Sequence, residues 1–125
     1  MNDFLAVDLF AGAGGMSLGF QQAGFNVKAA VEIDAIHSSV HKINFPSCFV
    51  INKSITDVSG KQIKDLIGDR DIDVVFGSPP CQGFSLMGKR QLKDPRNELV
   101  FHFWRLIVDL QPKYFIMENV KGGLS

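Results

Sequence analysis

A thiol and a carboxyl, each placed directly after an apolar run, are the groups in this sequence best suited to chemistry. The stretch Gly77-Ser78-Pro79-Pro80-Cys81-Gln82-Gly83-Phe84-Ser85 follows the apolar segment Ile72 to Phe76. Two prolines fix the backbone ahead of Cys81. Its thiol is therefore held in a defined place, whereas most cysteines serve as small buried hydrophobes. A thiol so held suits reversible nucleophilic addition to carbon, and its thiolate content rises with nearby positive charge. Lys89, Arg90, Lys93 and Arg96 follow in the same polar stretch. They are placed to supply that charge or to meet phosphates; a solvated loop face is the plainer reading of the same run. Glu118-Asn119-Val120 ends a second apolar segment, Tyr114 to Met117. Burial there would raise the pKa of Glu118 and let it hold a proton. A thiolate beside a protonatable carboxyl suits attack on a heterocycle whose ring nitrogen must be protonated. The alternative for Glu118 is a strand-end carboxylate capping backbone. Cys48 has no polar companions and reads as a buried hydrophobe.

A second constellation suits cofactor binding. Asp8-Leu9-Phe10-Ala11-Gly12-Ala13-Gly14-Gly15 makes a glycine-rich turn after the apolar run Phe4 to Phe10. Such a turn brings backbone close to a ligand, or simply makes a tight connection. Its spacing differs from the G-x-G-x-x-G of dinucleotide folds. Glu32 lies about twenty residues further on, where a carboxylate accepts from ribose hydroxyls; a solvated carboxylate is the alternative. Together these residues point to an adenosine-containing cofactor. They leave NAD and S-adenosylmethionine both open, although Asp8 beside the turn suits a positively charged sulfonium better than a phosphate.

These groups need a scaffold that gathers them. Strands are expected over Phe4 to Phe10, Val27 to Ile33, Phe49 to Ile51, Ile72 to Phe76 and Tyr114 to Met117. Helices are expected over residues 16–23, from an Asp34 cap to about Ile43, over 60–67, and from an Asn97 cap to Leu110, with a long polar loop over 77–97. Strands alternating with helices imply an α/β fold, a Rossmann-like doubly wound parallel sheet. Ligands in such sheets sit at the carboxyl ends of the strands. Asp8 to Gly15, Glu32, Gly77 to Ser85 and Glu118 all fall there.

Composition narrows the class without choosing the function. The 125 residues form one domain's worth of chain, 46% hydrophobic, with 13 basic and 13 acidic side chains. Nucleic-acid enzymes usually carry a basic excess, and none exists here. Two cysteines are too few for a disulfide framework and fit a reduced, intracellular setting, cytoplasm and nucleoid or nucleus. No apolar run approaches a membrane span, and the first residues lack the regions of a signal peptide.

The turn at 8–15, the Pro-Cys-Gln at 80–82 and the Glu-Asn-Val at 118–120 resemble, in order and approximate separation, the signature motifs of the DNA cytosine-5 methyltransferases. The resemblance covers essentially the whole chain. It implies the class I S-adenosylmethionine-dependent methyltransferase fold, S-adenosylmethionine as cofactor and double-stranded DNA as partner, with no metal and no membrane. Cys81 would attack C6 of a flipped-out cytosine, and Glu118 would assist protonation at N3. Phe10 would pack on adenine, Gly12 and Gly14 would cradle the methionine moiety, and Glu32 would hold the ribose. Ser54, Ile55, Pro80 and Leu99 would complete the cofactor contacts, and Gln82, Ser85, Lys89, Arg96 and Asn119 would meet the DNA. The family commonly has an Asp-Ile pair after the third strand, where this sequence has Ser54-Ile55, with Asp57 three residues later. Either the Ser54 hydroxyl, a weaker acceptor, replaces the carboxylate, or the loop presents Asp57.

The resemblance also implies that residues 1–125 are one cofactor-binding and catalytic subdomain of a longer enzyme. The later strands, the target-recognition region and the final cofactor motif would then lie on a second segment or subunit. The fifth strand would be left as an open apolar edge, prone to pairing, and the chain alone would be inactive. Two other readings use the same residues: an RNA (tRNA) cytosine-5 methyltransferase on this scaffold, and a non-catalytic subunit or remnant that binds cofactor or a partner chain. A plain NAD-binding module fits the glycine spacing and the Pro-Pro-Cys stretch least.

Overall fold

The computed structural model describes residues 4–79 and 97–118. Five strands, β1 (Phe4–Asp8), β2 (Phe25–Val31), β3 (Phe49–Ile51), β4 (Val74–Gly77) and β5 (Tyr114–Met117), alternate with four helices, α1 (Gly15–Gln22), α2 (Ala35–Asn44), α3 (Gly60–Ile67) and α4 (Asn97–Leu110). All strand pairs are parallel, in the order β3-β2-β1-β4-β5. The expected Rossmann-like α/β sheet is therefore present, and the chain reverses its winding direction at β1 and β4. Loops leaving neighbouring strands in opposite directions open a crevice at such a switch point.

The period-2 alternation of β1 divides two cores. Leu5, Val7 and Leu9 pack with Ile63, Ile67, Phe103, Leu106 and Leu110 of α3 and α4. Ala6 packs on the other face with Phe45 beyond α2, with Met16 and Phe20 of α1 at its edge. Both faces of the sheet are thus covered, which is why its strands are apolar runs. One residue breaks the parity. Ala6 pairs with Val27 but Val7 pairs with Ala29, so Lys28 is an extra residue in β2, a bulge. Because of it, Val27 and Ala30 share one face while Ala29 and Val31 share the other.

Helix starts follow local chemistry. Asp34 caps α2, its carboxylate accepting from Ile36 N at 2.8 Å and His37 N at 3.2 Å. Ser59 and Gln62 form a reciprocal capping box at α3. α1 starts without a side-chain cap at Gly14, whose φ of 113° is left-handed. A Cβ there would run into the Phe45 ring and lie 3.2 Å from His41 Cδ2, so glycine is required twice over. β5 is an edge strand, as expected, and it is apolar and open: Tyr114 is 73% and Phe115 47% exposed. The Trp104 ring meets Phe115 edge-on at 4.9 Å. No helix among the described residues is long and apolar enough to cross a membrane.

Candidate active site

The carboxyl ends of β1 to β4 enclose a cleft of about 310 Å³ walled by Leu9, Phe10, Gly12, Val31, Glu32, Ile33, Lys53, Ser54, Ile55, Ser78 and Leu99. Each loop reaches it for a local reason. Phe10 lies across the end of β4 because residue 77 is glycine; a Cβ at Gly77 would be 3.2 Å from the Phe10 ring. The same ring stacks on Phe103 at 6.4 Å. Glu32 becomes a bridge as β2 ends: Oε1 accepts from Gly12 N at 2.6 Å and Oε2 from Asp34 N at 2.9 Å. Each oxygen keeps a lone pair for a further donor. Asn52 pins the Glu32 and Ile33 carbonyls by donating to both, at 2.9 and 3.0 Å.

The loop after β3 puts Ser54, and not Asp57, on the cleft wall. Ser54 lines the cleft and caps a 3-10 turn, Ile55–Asp57, accepting from Thr56 N at 3.2 Å. Its hydroxyl lies 2.9 Å from Thr56 Oγ1, and when it donates there an acceptor site stays free. Asp57 is exposed and outside the cleft wall. Arg105 of α4 holds this turn, Nη2 donating to the carbonyls of Ile55 at 3.0 Å and Val58 at 2.8 Å.

Asp8 does not take the place expected beside a cationic ligand. It shares a sheet face with Ala6, opposite the cleft-lining Leu9, and is 1% exposed. Its carboxyl accepts from Phe10 N at 3.2 Å and Ser17 Oγ at 2.8 Å. Burial pushes its pKa up to about 7, against those two hydrogen bonds, with the charge of Glu32 adding to the rise. Cys48 is buried as expected, its thiol pushed up to about 12 by burial, so it stays protonated and inert.

The rim expected to carry the chemistry is set by β4 and β5. Met117 pairs with Gly77, Glu118 N donates to the Gly77 carbonyl at 3.0 Å, and the Ser78 hydroxyl lies 3.4 Å from Glu118 Oε1 and 3.3 Å from Met16 Sδ. Glu118 is exposed, so the burial expected of it is absent; it sits at the end of an edge strand with no described residue beyond it. Pro80, Cys81, Gln82, Ser85, Lys89, Arg90, Lys93, Arg96 and Asn119 lie outside the described residues.

Phe10, Gly12, Glu32, Ser54, Ile55 and Leu99 thus meet in one cleft. Gly14 does not join them; it lines a separate depression with Leu18, Gln21, Asn44 and Phe45. Sequence reasoning missed Asn52 and Lys53, and placed Ser78 at a strand end without giving it a role. All three are polar residues at strand carboxyl ends, the signal that did find Glu32 and Glu118.

The comparisons bear on the same residues. A family model described as C-5 cytosine-specific DNA methylase matches residues 4–125. Type II methyltransferase M.XorII of Xanthomonas oryzae is 58% identical over 120 residues, 94% of this chain and 28% of the relative. M.DdeI of Desulfomicrobium norvegicum is 47% identical, over 95% of this chain and 28% of its own length. Among solved structures, one described as a DNA modification methyltransferase encoded within an E. coli prophage superposes with a TM-score of 0.84 at 43% identity. It covers 98% of this chain and 34% of that one. Spodoptera frugiperda DNMT2 superposes at 0.70 and 33% identity, covering 96% and 36%. The chain spans roughly a third or less of the length of each of these relatives.

Proposed function

Since the chain belongs to the C-5 cytosine-specific DNA methylase family, we propose that it is the cofactor-binding and catalytic subdomain of a longer, intracellular DNA cytosine-5 methyltransferase that uses S-adenosylmethionine. One observation carries the reading. Phe10, Gly12, Glu32, Ser54, Ile55 and Leu99 wall a single cleft that reaches Ser78, and Ser78 touches Glu118.

The cleft fits an adenosine cofactor by its donor set. Phe10, Ile33, Ile55 and Leu99 offer apolar walls to a purine, the Glu32 carboxylate keeps lone pairs for ribose hydroxyls, and the Ser54 hydroxyl offers an acceptor for an exocyclic amine. Open space at Gly12, where a Cβ would meet nothing within 4 Å, leaves its backbone free to approach a ligand. S-adenosylmethionine supplies, when bound, an electrophilic methyl group.

The chain's own residues make the base reactive. C5 of neutral cytosine is too weak a nucleophile to attack a sulfonium unaided. The Cys81 thiolate adds to C6 of a flipped-out cytosine, and Glu118 places a proton at N3, so the ring electrons move toward C5. A base seated over Glu118 excludes water from a carboxyl that is exposed here. Once C5 has been methylated, the N3 proton returns to Glu118, and loss of the C5 proton with departure of the Cys81 sulfur restores the aromatic ring. Double-stranded DNA is the proposed substrate, and the open apolar edge at β5 supports the presence of further chain on a second segment or subunit.

The test uses the longer protein, assayed for methyl transfer to duplex DNA and to tRNA. Cys81→Ser is expected to lower transfer about a thousandfold or more, and Glu118→Gln to lower it less. Cytosine carrying fluorine at C5 should trap the wild type as a covalent complex, because the fluorine cannot leave as a proton does. Unchanged transfer by Cys81→Ser would remove the thiol from the reaction. Transfer to tRNA alone would move the substrate to RNA.

A further inference from the structure

Behind the cleft runs a line of buried polar groups that the proposed chemistry does not use. Phe10 N donates to Asp8 Oδ1 at 3.2 Å, Ser17 Oγ donates to Asp8 Oδ2 at 2.8 Å, and His41 Nε2 lies 3.1 Å from Ser17 Oγ. The three side chains come from the end of β1, from α1 and from α2, and none is more than 1% exposed. Among the described residues, His41 Nδ1 finds no hydrogen-bond partner. Burying polar groups forfeits their hydration, so an apolar trio of the same size would join these elements at least as well. What distinguishes this line is its far end. It terminates on the amide of Phe10, whose side chain walls the cleft, and a Cβ on Gly14 at the start of α1 would lie 3.2 Å from His41 Cδ2.

We infer that Asp8, Ser17 and His41 are positioning residues, a relay that fixes the Phe10-to-Gly14 loop, and with it the cofactor cleft, from the opposite face of the sheet. The inference rests on reading that cleft as the cofactor site.

The relay has two directions. With Asp8 ionised, both carboxylate oxygens accept, the Ser17 hydroxyl donates to one, and the Ser17 oxygen accepts from a protonated His41 Nε2. A proton on Asp8 lets the carboxyl donate to Ser17, whose hydroxyl then turns to Nε2, an arrangement that favours the tautomer with its ring proton on Nδ1. The Phe10 amide is held more weakly in that second arrangement, since a neutral carboxyl is the poorer acceptor. Burial places the Asp8 titration at about 7 and lowers that of His41. Among the described residues, the other titratable groups bearing on Asp8 are Glu32 after β2 and Cys48 after α2; β2 carries Lys28, and α1 and β4 present no charged side chain.

The experiment measures amide exchange at Phe10 and Gly12 by NMR, together with S-adenosylhomocysteine affinity by calorimetry, from about pH 5.5 to 8.5 so as to span the Asp8 titration. Wild type, Ser17→Ala, Asp8→Asn and Glu32→Ala are compared in the full chain. Ser17→Ala is expected to weaken binding about tenfold, the weight of one hydrogen bond to a charged group, and to lower protection at Phe10. Wild-type protection at Phe10 should fall as pH drops through about 7, and Asp8→Asn should be flat. Should Ser17→Ala not fold, His41→Phe makes the same comparison. Wild-type protection and affinity in the substituted chain, or a pH step that survives Asp8→Asn, would overturn the relay. If the wild type and Glu32→Ala both fail to bind the probe, the cofactor reading is lost, while the exchange data still judge the relay.

Discussion

Two aspartates at opposite ends of the same sheet are treated in opposite ways. Asp73, at the amino end of β4, is a stitch. Its Oδ2 accepts from Leu5 N of β1 at 2.7 Å, its Oδ1 pairs with Lys113 Nζ at 3.2 Å, and its backbone carbonyl accepts from Tyr114 N of β5. The Leu5 hydrogen bond, aided by the charge of Lys113, holds its carboxyl below the usual carboxylate range. Asp8, at the carboxyl end of β1, is buried with no cation beside it among the described residues and is pushed up to about 7. The base of the sheet satisfies its charge and gains stability. The rim leaves a carboxyl under burial stress, beside the cleft, and keeps it close to its titration point near neutral pH.

The largest expected effect follows from that stress. Asp8 holds its proton more tightly in the folded chain, near 7, than at its ordinary value of 3.8. Stability contributed by this group is therefore full below about pH 4, declines as pH rises toward 7, and is level above. Three pKa units correspond to about 4 kcal/mol, an upper figure for a site that can relax. Urea unfolding of the chain at several pH values should show this decline in the wild type and a flatter profile in Asp8→Asn. Parallel profiles would mean that the two ends of the sheet are not electrostatically different.

The same contrast explains what was legible in the sequence. Every strand and helix was visible, because both faces of the sheet are covered and the apolar runs are short and cleanly broken by Gly, Pro, Asp34 and Ser59. Phe10, Gly12 and Glu32 were legible because strand carboxyl ends gather ligands in this topology, whereas Ser54, Ile55 and Leu99 came from the family resemblance alone, Leu99 lying on α4 and away from any strand end. The direction of Asp8 was not found. Period-2 parity in β1 groups Asp8 with Ala6, but parity does not say which face carries the cleft. Lys28 hid its bulge, since VKAAV reads as a regular strand and the register shift arises from pairing with β1. The burial expected of Glu118 failed because a residue at an edge is covered only by a further strand or a bound base. His41 gave no signal; a histidine in a polar helix reads as solvated until packing shows it at 0% exposure.

Arg105 sharpens the comparison from the rim side. Its guanidinium binds two carbonyls of the turn that presents Ser54, and its Nε donates to His102 Nδ1 at 2.9 Å. Arg105→Met keeps most of the apolar stem but leaves the Ile55 and Val58 carbonyls without this donor. Loss of roughly 2 kcal/mol of stability is expected, together with weaker S-adenosylhomocysteine binding, because the turn is a wall of the cleft. Calorimetry and thermal unfolding on the same samples separate the two effects. A stability loss with unchanged affinity would place Arg105 with the base of the sheet and not with the rim.

The smallest effect belongs to the base itself, and it tests whether the two ends are independent. Asp73→Ala removes the acceptor of the Leu5 amide and the partner of Lys113, whereas Lys113→Ala removes only the latter. The Lys113 side chain is 60% exposed, so its ion pair is screened and contributes a few tenths of a kcal/mol at most. The hydrogen bond to Leu5 is the larger part, about 1 kcal/mol. The sign of its pH dependence is the reverse of that at Asp8. A lowered folded-state pKa means the contribution is present above the ordinary value of 3.8 and fades as pH falls through the folded value. Asp73→Ala should therefore lower stability at neutral pH and converge on the wild type in acid, with S-adenosylhomocysteine affinity unchanged at every pH where both fold. Weaker affinity in this variant would show that strain at the base reaches the rim through β1, and the sheet would have to be read as one coupled unit in place of a stable base and a tuned edge.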